Sequence, residues 1–255
     1  MFAKKSLGQN FLNSQRVVKR IADAGDIKKG EIILEIGPGK GVLTEALLRR
    51  GANVLAVEKD DRLIPILKEK FSKEIKSGQL ELVHEDITSP NTIENLKLKK
   101  DFKLIANIPY YITGEIMRLF LSALIKPKTI VLMVQKEVVD RIIARDGKES
   151  ILSVSVKIYG KPSLVMNVSR GNFFPIPNVD SAVIKIENII SPFKNLDEEK
   201  RFFDILHAGF AHKRKKLSSN LKNIVSKEKF QELKLEENVR AEDIGVEKWI
   251  ELAKN

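Results

Sequence analysis

Two short stretches hold residue types from which a group-transfer site can be built: Glu35-Ile36-Gly37-Pro38-Gly39-Lys40-Gly41 and Asn107-Ile108-Pro109-Tyr110. Glycines between a strand and a helix allow a tight turn and let a ligand approach the backbone closely. The dinucleotide fingerprint G-x-G-x-x-G would need glycine at position 42, where Val42 stands. Two further acids follow at regular intervals. Glu58 can accept both hydroxyls of a ribose, and Asp86 can accept an adenine amino group. Each has a plainer alternative: Glu58 as a strand end paired with Lys59 or Arg62, Asp86 as a turn cap before Thr88–Pro90. Together, at successive strand ends facing one crevice, they point to a nucleoside-containing cofactor.

The second stretch fits an acceptor. An adenine amino nitrogen is a poor nucleophile because its lone pair is delocalised into the ring. Two acceptors aimed at its hydrogens draw it toward tetrahedral geometry and free the lone pair. Asn107 can supply a side-chain oxygen, and Pro109 or Ile108 a backbone carbonyl. Tyr110 offers a flat face for an extruded base. A second aromatic pair, Phe173-Phe174, lies in a proline-rich loop that also holds Asp180-Ser181. One of the pair can sandwich the base while the other packs the core. The G-x-G-x-G spacing behind an acid resembles the S-adenosylmethionine pocket of Rossmann-like methyltransferases, which cradles no pyrophosphate.

These residues need a frame. Apolar runs at 32–35, 53–58, 80–84, 103–106 and 129–134 alternate with helical patterns at 42–50, 63–70, 114–123 and 137–144. This predicts an α/β fold with a doubly wound parallel sheet buried on both faces. Residues 151–159 are β-branched and ambiguous, and 163–168 and 179–187 read as late strands. After Asn188 the pattern turns helical: 197–211, 215–224 and shorter pieces to the end. The expected division is a Rossmann-like domain over 1–190 and a small α-helical domain over 191–255.

The chain has 255 residues and no cysteine, which excludes disulfides, thiolate metal sites and methylation of carbon by thiol adduct. His84, His207 and His212 lack metal-ligand spacing, so no metal is expected. No apolar run spans a bilayer and no secretory leader is visible, which implies a cytoplasmic protein without membrane attachment. Nothing points to an obligate dimer, and a monomer is expected. The net charge is +11, and residues 1–20 carry Lys4, Lys5, Arg16, Lys19 and Arg20 without an acid. A second cluster is Lys213-Arg214-Lys215-Lys216. Such patches suit a polyanion, although solvated lysine-rich faces have the same composition.

The stretches Ser6–Leu12 (Ser-Leu-Gly-Gln-Asn-Phe-Leu), Glu35–Gly41, Glu58, Asp86, Asn107–Tyr110, Phe173–Ser181 and Phe210–Leu217, in this order, resemble the small-subunit ribosomal RNA adenine dimethyltransferases. The resemblance covers nearly the whole chain. It implies a Rossmann-like S-adenosylmethionine-dependent domain and N6,N6-dimethylation of two adjacent adenines in the 3′-terminal hairpin of small-subunit (16S) RNA, late in assembly. It further implies cofactor contacts at Gln9, Asn10, Leu12, Gly37, Gly39, Glu58, Asp86 and Asn107, and acceptor-site roles for Asn107, Pro109, Tyr110 and Phe173. RNA contacts would fall on Lys4, Lys5 and Lys213–Lys216, with the helical tail as an RNA-contacting domain. Ile108 stands where the family often has leucine, a change that keeps the acceptor geometry. Two rivals share parts of the pattern: an erythromycin-resistance-type methyltransferase of 23S RNA, and a non-catalytic RNA-binding assembly or transcription factor.

Overall fold

The computed structural model describes residues 8–90, 92–98 and 101–254. The chain divides into two compact units, one of 1–139 with 163–189 and one of 140–162 with 190–255.

In the first unit the opening strand β1 (Phe11–Leu12) is followed by α1 (Gln15–Ala24). Ser14 caps α1 by accepting from the Val17 amide, and Val17, Val18, Ile21 and Ala22 form its buried stripe. Arg16, Lys19 and Arg20 face solvent. Then come β2 (Ile32–Ile36), α2 (Val42–Leu48), β3 (Asn53–Glu58), α3 (Leu63–Lys70), α4 (Ser72–Lys76), β4 (Leu80–His84), α5 (Thr92–Asn95), β5 (Phe102–Asn107), α6 (Thr113–Leu121), β6 (Thr129–Gln135) and α7 (Lys136–Ile142). After α8 (Ile151–Lys157) in the second unit, the chain returns as β7 (Lys161–Val168), β8 (Phe173–Phe174) and β9 (Ser181–Glu187).

Seven strands form one sheet in the order β4-β3-β2-β5-β6-β9-β7. The first five are parallel, and β9 runs antiparallel to β6. The strand order reverses between β2 and β5, the switch point where open α/β sheets bind ligands beyond the carboxyl ends of their strands. The ladder between these two strands covers Ile32–Leu34 and Phe102–Leu104. By contrast, β2 pairs with β3 out to Ile36↔Val57, and β5 with β6 out to Asn107↔Met133.

β3 and β5 are buried almost end to end, as parallel strands covered on both faces must be. Lys103 is the buried cation within β5. Its ammonium donates to Glu31 and to the Asp26 carbonyl, both at 2.7 Å, so the charge is paired rather than stranded.

The second unit is helical: α8, α9 (Leu196–Gly209), α10 (Leu217–Asn220), α11 (Lys227–Glu232) and α12 (Val246–Ala253). Asn195 caps α9, whose first turn carries Asp197, Glu198 and Glu199 against the helix dipole. Gly209 lets α12 come close, since a Cβ there would lie 2.4 Å from the Trp249 ring. Phe210 stacks on that ring at 5.4 Å.

Two expectations are corrected, and one that stood open is settled. The segment 140–162 belongs with the tail and not with residues 1–139: the Glu149 amide donates to the Glu242 carbonyl at 2.8 Å, Lys148 pairs with Asp243, and Tyr159 donates to Glu199. A single boundary at 190 cannot describe a chain that leaves the sheet and returns. Residues 151–157 are helical despite their β-branching, because Ser150 and Ser153 form a reciprocal capping box. The helix expected over 215–224 shrinks to Leu217–Asn220, with Lys213–Lys216 in the exposed turn before it. No described helix is long and apolar enough to cross a membrane.

Candidate active site

The glycine loop leaves β2 and enters α2. Its three glycines all have positive φ, but they meet different surroundings. A Cβ on Gly37 would meet nothing within 4 Å, so that backbone faces open space that a ligand can fill. A Cβ on Gly39 would touch the Phe11 ring at 3.4 Å, and one on Gly41 would strike Phe71 at 2.4 Å. Gly41 is therefore a packing requirement. The Lys70 ammonium braces the loop by donating to the carbonyls of Lys40 and Gly41, each at 3.2 Å.

The acids stand at the next strand ends. Glu58 closes β3, is 6 % exposed and accepts from the Asp60 amide at 2.8 Å and the Gly39 amide at 3.0 Å. Burial raises its pKa, opposed by those amides. Each oxygen keeps a further lone pair for a hydroxyl donor. Asp86 follows β4 and caps its own turn: Oδ1 accepts from the amide and hydroxyl of Thr88 at 3.0 and 2.8 Å, and Oδ2 from Lys59. Burial raises its pKa, but Lys59 and Thr88 outweigh that and hold the carboxyl below its ordinary value. The turn-cap reading is thus realised, on a residue that also borders the cleft.

Glu35, the acid before the glycines, is 1 % exposed, and its Oε2 has no partner among the described residues. Burial pushes its carboxyl up to about 8, with Thr44 opposing and Glu58 adding to the shift. At neutral pH it is a buried neutral acid at the cleft wall, a buried polar atom suited to a ligand donor.

Asn107 ends β5 and faces the cleft from the other side of the switch point. The Pro109 carbonyl accepts from the Ile112 amide at 3.2 Å, closing the 3-10 turn Tyr110–Ile112 and keeping one lone pair outward. The Tyr110 hydroxyl is 2.7 Å from the hydroxyl of Ser181, the fully buried first residue of β9. That bond anchors the hydroxyl end of the ring. Phe173 and Phe174 do not divide core and cleft between them. Phe173 is 3 % exposed and borders the cleft, whereas Phe174 is 64 % exposed and does not.

A strap crosses the cleft. β1 pairs antiparallel with β8, Phe11 opposite Phe174 and Leu12 opposite Phe173. Gln9 Nε2 donates to Asp60 at 2.7 Å, and the Lys40 ammonium lies 4.8 Å from the centre of the Phe11 ring. The result is one cleft of about 1120 Å³, counted out to its open mouth, within the first unit. Its walls include Gln9, Asn10, Leu12, Gly37, Gly39, Glu58, Asp86, Asn107, Pro109, Tyr110 and Phe173. Every site residue expected from the sequence, apart from the RNA-binding lysines and arginine, thus meets in one place.

Lys213, Arg214, Lys215 and Lys216 are exposed in the second unit, with Lys216 paired to Glu237 at 3.0 Å. Lys4 and Lys5 lie outside the described residues. Residues the sequence did not single out include Asp60, Tyr111 and Thr44. Asp60 follows Glu58 by two positions, a spacing that signals a second acid without showing what it holds.

The chain has relatives that fit this geometry. A family model described as ribosomal RNA adenine dimethylase matches residues 2–255. A ribosomal RNA small subunit methyltransferase A of Dehalococcoides mccartyi is 42% identical over 256 residues, covering 98% of this chain and 87% of that protein. Among solved structures, a dimethyladenosine transferase from Plasmodium falciparum is similar with a TM-score of 0.79 and 26% identity, covering 95% of each chain. The 23S rRNA methyltransferase ErmE shares the fold, with a TM-score of 0.79 at 24% identity over 96% of this chain and 98% of that one. A match over nearly the whole chain leaves one assignment: the chain belongs to the ribosomal RNA adenine dimethylase family.

Proposed function

We propose that this protein is an S-adenosylmethionine-dependent methyltransferase that dimethylates N6 of two adjacent adenines in the 3′-terminal hairpin of 16S ribosomal RNA, late in small-subunit assembly. The observation that carries the reading is the placement of Glu58 and the Gly37 backbone on one side of the β2/β5 switch point and of Asn107–Tyr110 on the other. The small-subunit target follows the relatives, one of which is named for it at 42% identity. The likeness to the 23S enzyme extends to the fold, and the large-subunit alternative is not favoured.

The residues present fit the cofactor. Gly37 leaves space against the backbone, Glu58 is held by two amides with lone pairs to spare, and Glu35 offers a buried oxygen. When bound, S-adenosylmethionine supplies a methyl group made electrophilic by its sulfonium. The protein's task is then positioning. The Asn107 side-chain oxygen and a backbone carbonyl at Ile108 or Pro109 accept the two amino hydrogens and turn the nitrogen lone pair outward. Tyr110, fixed by Ser181, stacks on the extruded base, and Phe173 backs the opposite face. No strong base is required, because the nitrogen becomes acidic once alkylated and releases its proton afterwards. Gln9, Asn10 and Leu12 close the cofactor side, and the exposed basic turn at 213–216 binds RNA phosphates. The protein acts in the cytoplasm as a monomer on RNA or a pre-30S particle.

The test is mass analysis of nucleosides after incubation of the protein with labelled cofactor and unmethylated small subunits, with 23S RNA offered in parallel. Dimethyladenosine is the expected product; 2′-O-methyl nucleosides, methylated pyrimidines or labelling confined to 23S RNA would overturn the reading.

A further inference from the structure

Asp60 is 2 % exposed, yet its carboxylate is ionised and fully engaged. Arg62 grips it in a fork, Nε to Oδ1 at 2.8 Å and Nη2 to Oδ2 at 2.6 Å, and adds its backbone amide to Oδ1 at 3.2 Å. That guanidinium holds the Asp60 carboxyl far below the usual carboxylate range. The remaining bond comes from outside the turn: Gln9 Nε2 donates to Oδ2 at 2.7 Å, across 51 residues of sequence. Meanwhile the Asp60 amide donates to Glu58 Oε1 at 2.8 Å. One residue therefore holds the strap with its side chain and the Glu58 carboxylate with its backbone.

The other fastenings of the strap lie elsewhere. Gly8 packs on the Tyr111 ring, Phe11 on Gly39, and β1 on β8. These tie it to the acceptor wall and to the glycine loop. The Gln9–Asp60 bond ties it to the end of β3. A neutral acceptor would make a weaker bond to the amide than a carboxylate does, and Arg62 prevents that carboxylate from rotating away.

We infer that Asp60 is a positioning residue for cofactor binding: oriented by Arg62, it fastens Gln9 and the strap of residues 8–12 over the cleft while its amide aims Glu58. The inference rests on the reading of this cleft as the S-adenosylmethionine site. The strap end is held to β3 by a side-chain bond rather than a strand ladder, which lets it lift for cofactor exchange between successive transfers on one RNA.

The test is a double-mutant cycle on the full chain, using Gln9→Ala, Asp60→Ala and the pair, with calorimetric Kd for S-adenosylmethionine as the readout. Each single change is expected to weaken binding about tenfold or more, the scale of a lost charged hydrogen bond. Asp60→Ala should have the larger effect because it also strips Arg62 of its carboxylate partner and loosens the turn that aims the Asp60 amide at Glu58. The pair should be at most about twofold worse than Asp60→Ala alone. At saturating cofactor, turnover of Gln9→Ala should fall less than its Kd rises. If Asp60→Ala does not fold, Asp60→Asn and Gln9→Glu take its place. Gln9→Glu sets two carboxylates together and should weaken binding more than Gln9→Ala. Additive effects, or variants that bind within about twofold of wild type, would overturn the role of Asp60 alone. A wild-type protein that binds no S-adenosylmethionine would overturn the cofactor reading and this inference with it.

Discussion

The two walls of the cleft are built on different principles. On the cofactor side the groups are acids, and the protein has already engaged them: Glu58 by two amides, Asp60 by Arg62 and Gln9, Asp86 by Thr88 and Lys59. On the acceptor side Asn107, Pro109, Tyr110 and Phe173 are neutral, and the side-chain bond that holds the wall is the hydroxyl pair of Tyr110 and Ser181. The first wall is preorganised electrostatically for a ligand that carries hydroxyls and charge. The second offers the flat, neutral surfaces that the proposed base acceptor, whose reactivity depends on orientation, would need. Affinity and rate should therefore be separable by mutation.

Asn107→Ala should break the acceptor wall most severely. Turnover is expected to fall about a thousandfold, the scale of a lost transition-state hydrogen-bond partner, while calorimetric cofactor affinity stays nearly constant. Undiminished methylation by this variant would remove Asn107 from the reaction. Glu58→Ala should do the converse, weakening cofactor binding roughly a hundredfold through two lost charged hydrogen bonds, with a smaller fall in turnover at saturation.

Glu35 sharpens the comparison through pH. In the cofactor-free protein it stays protonated up to about 8, against an ordinary value of 4.5. The folded state thus binds the extra proton, so this stability is complete below 4.5 and is lost as pH rises through about 8. Glu35→Gln should gain about 4 kcal/mol relative to wild type between pH 5 and pH 9, at ~1.4 kcal/mol per unit of linkage. Denaturant melts at the two pH values test it, and a pH-independent difference between the proteins would refute it.

Ser181→Ala should lower turnover about tenfold or less, the scale of one neutral hydrogen bond. Combined with Tyr110→Phe it should add little, and full additivity would show that the two hydroxyls act apart. The smallest effect belongs to the basic turn: replacing Lys213, Arg214 and Lys215 by alanine should weaken RNA binding and flatten its salt slope by about one unit for each phosphate no longer neutralised. An unchanged slope would place RNA binding elsewhere.

Much of the first unit was legible because buried parallel strands are continuous apolar runs. β3 and β4 fall where those runs predict, and the glycines announce the turn that follows β2. The site residues were legible where one element end carried the whole signal, as in Asn107–Tyr110. What stayed hidden depends on partners far apart in the chain. Two-residue strands such as β1 and β8 have no periodicity to read, and Asp60 becomes meaningful once Gln9 is beside it. Likewise, the return of 140–162 to the tail is a matter of tertiary pairing. The capped helix at 151–157 shows the reverse case, where a local Ser-x-x-Ser pattern outweighs strand propensity.

The short ladder between β2 and β5 has a consequence of its own. Paired strands lie about 4.8 Å apart, too close for any ligand to pass between them. At this seam the sheet stops pairing after Leu34↔Leu104, while its outer ladders run on to Val57 and Met133. Beyond that seam Gly37 and Asn107–Tyr110 border one cleft from its two sides, which is where the proposed donor and acceptor would meet.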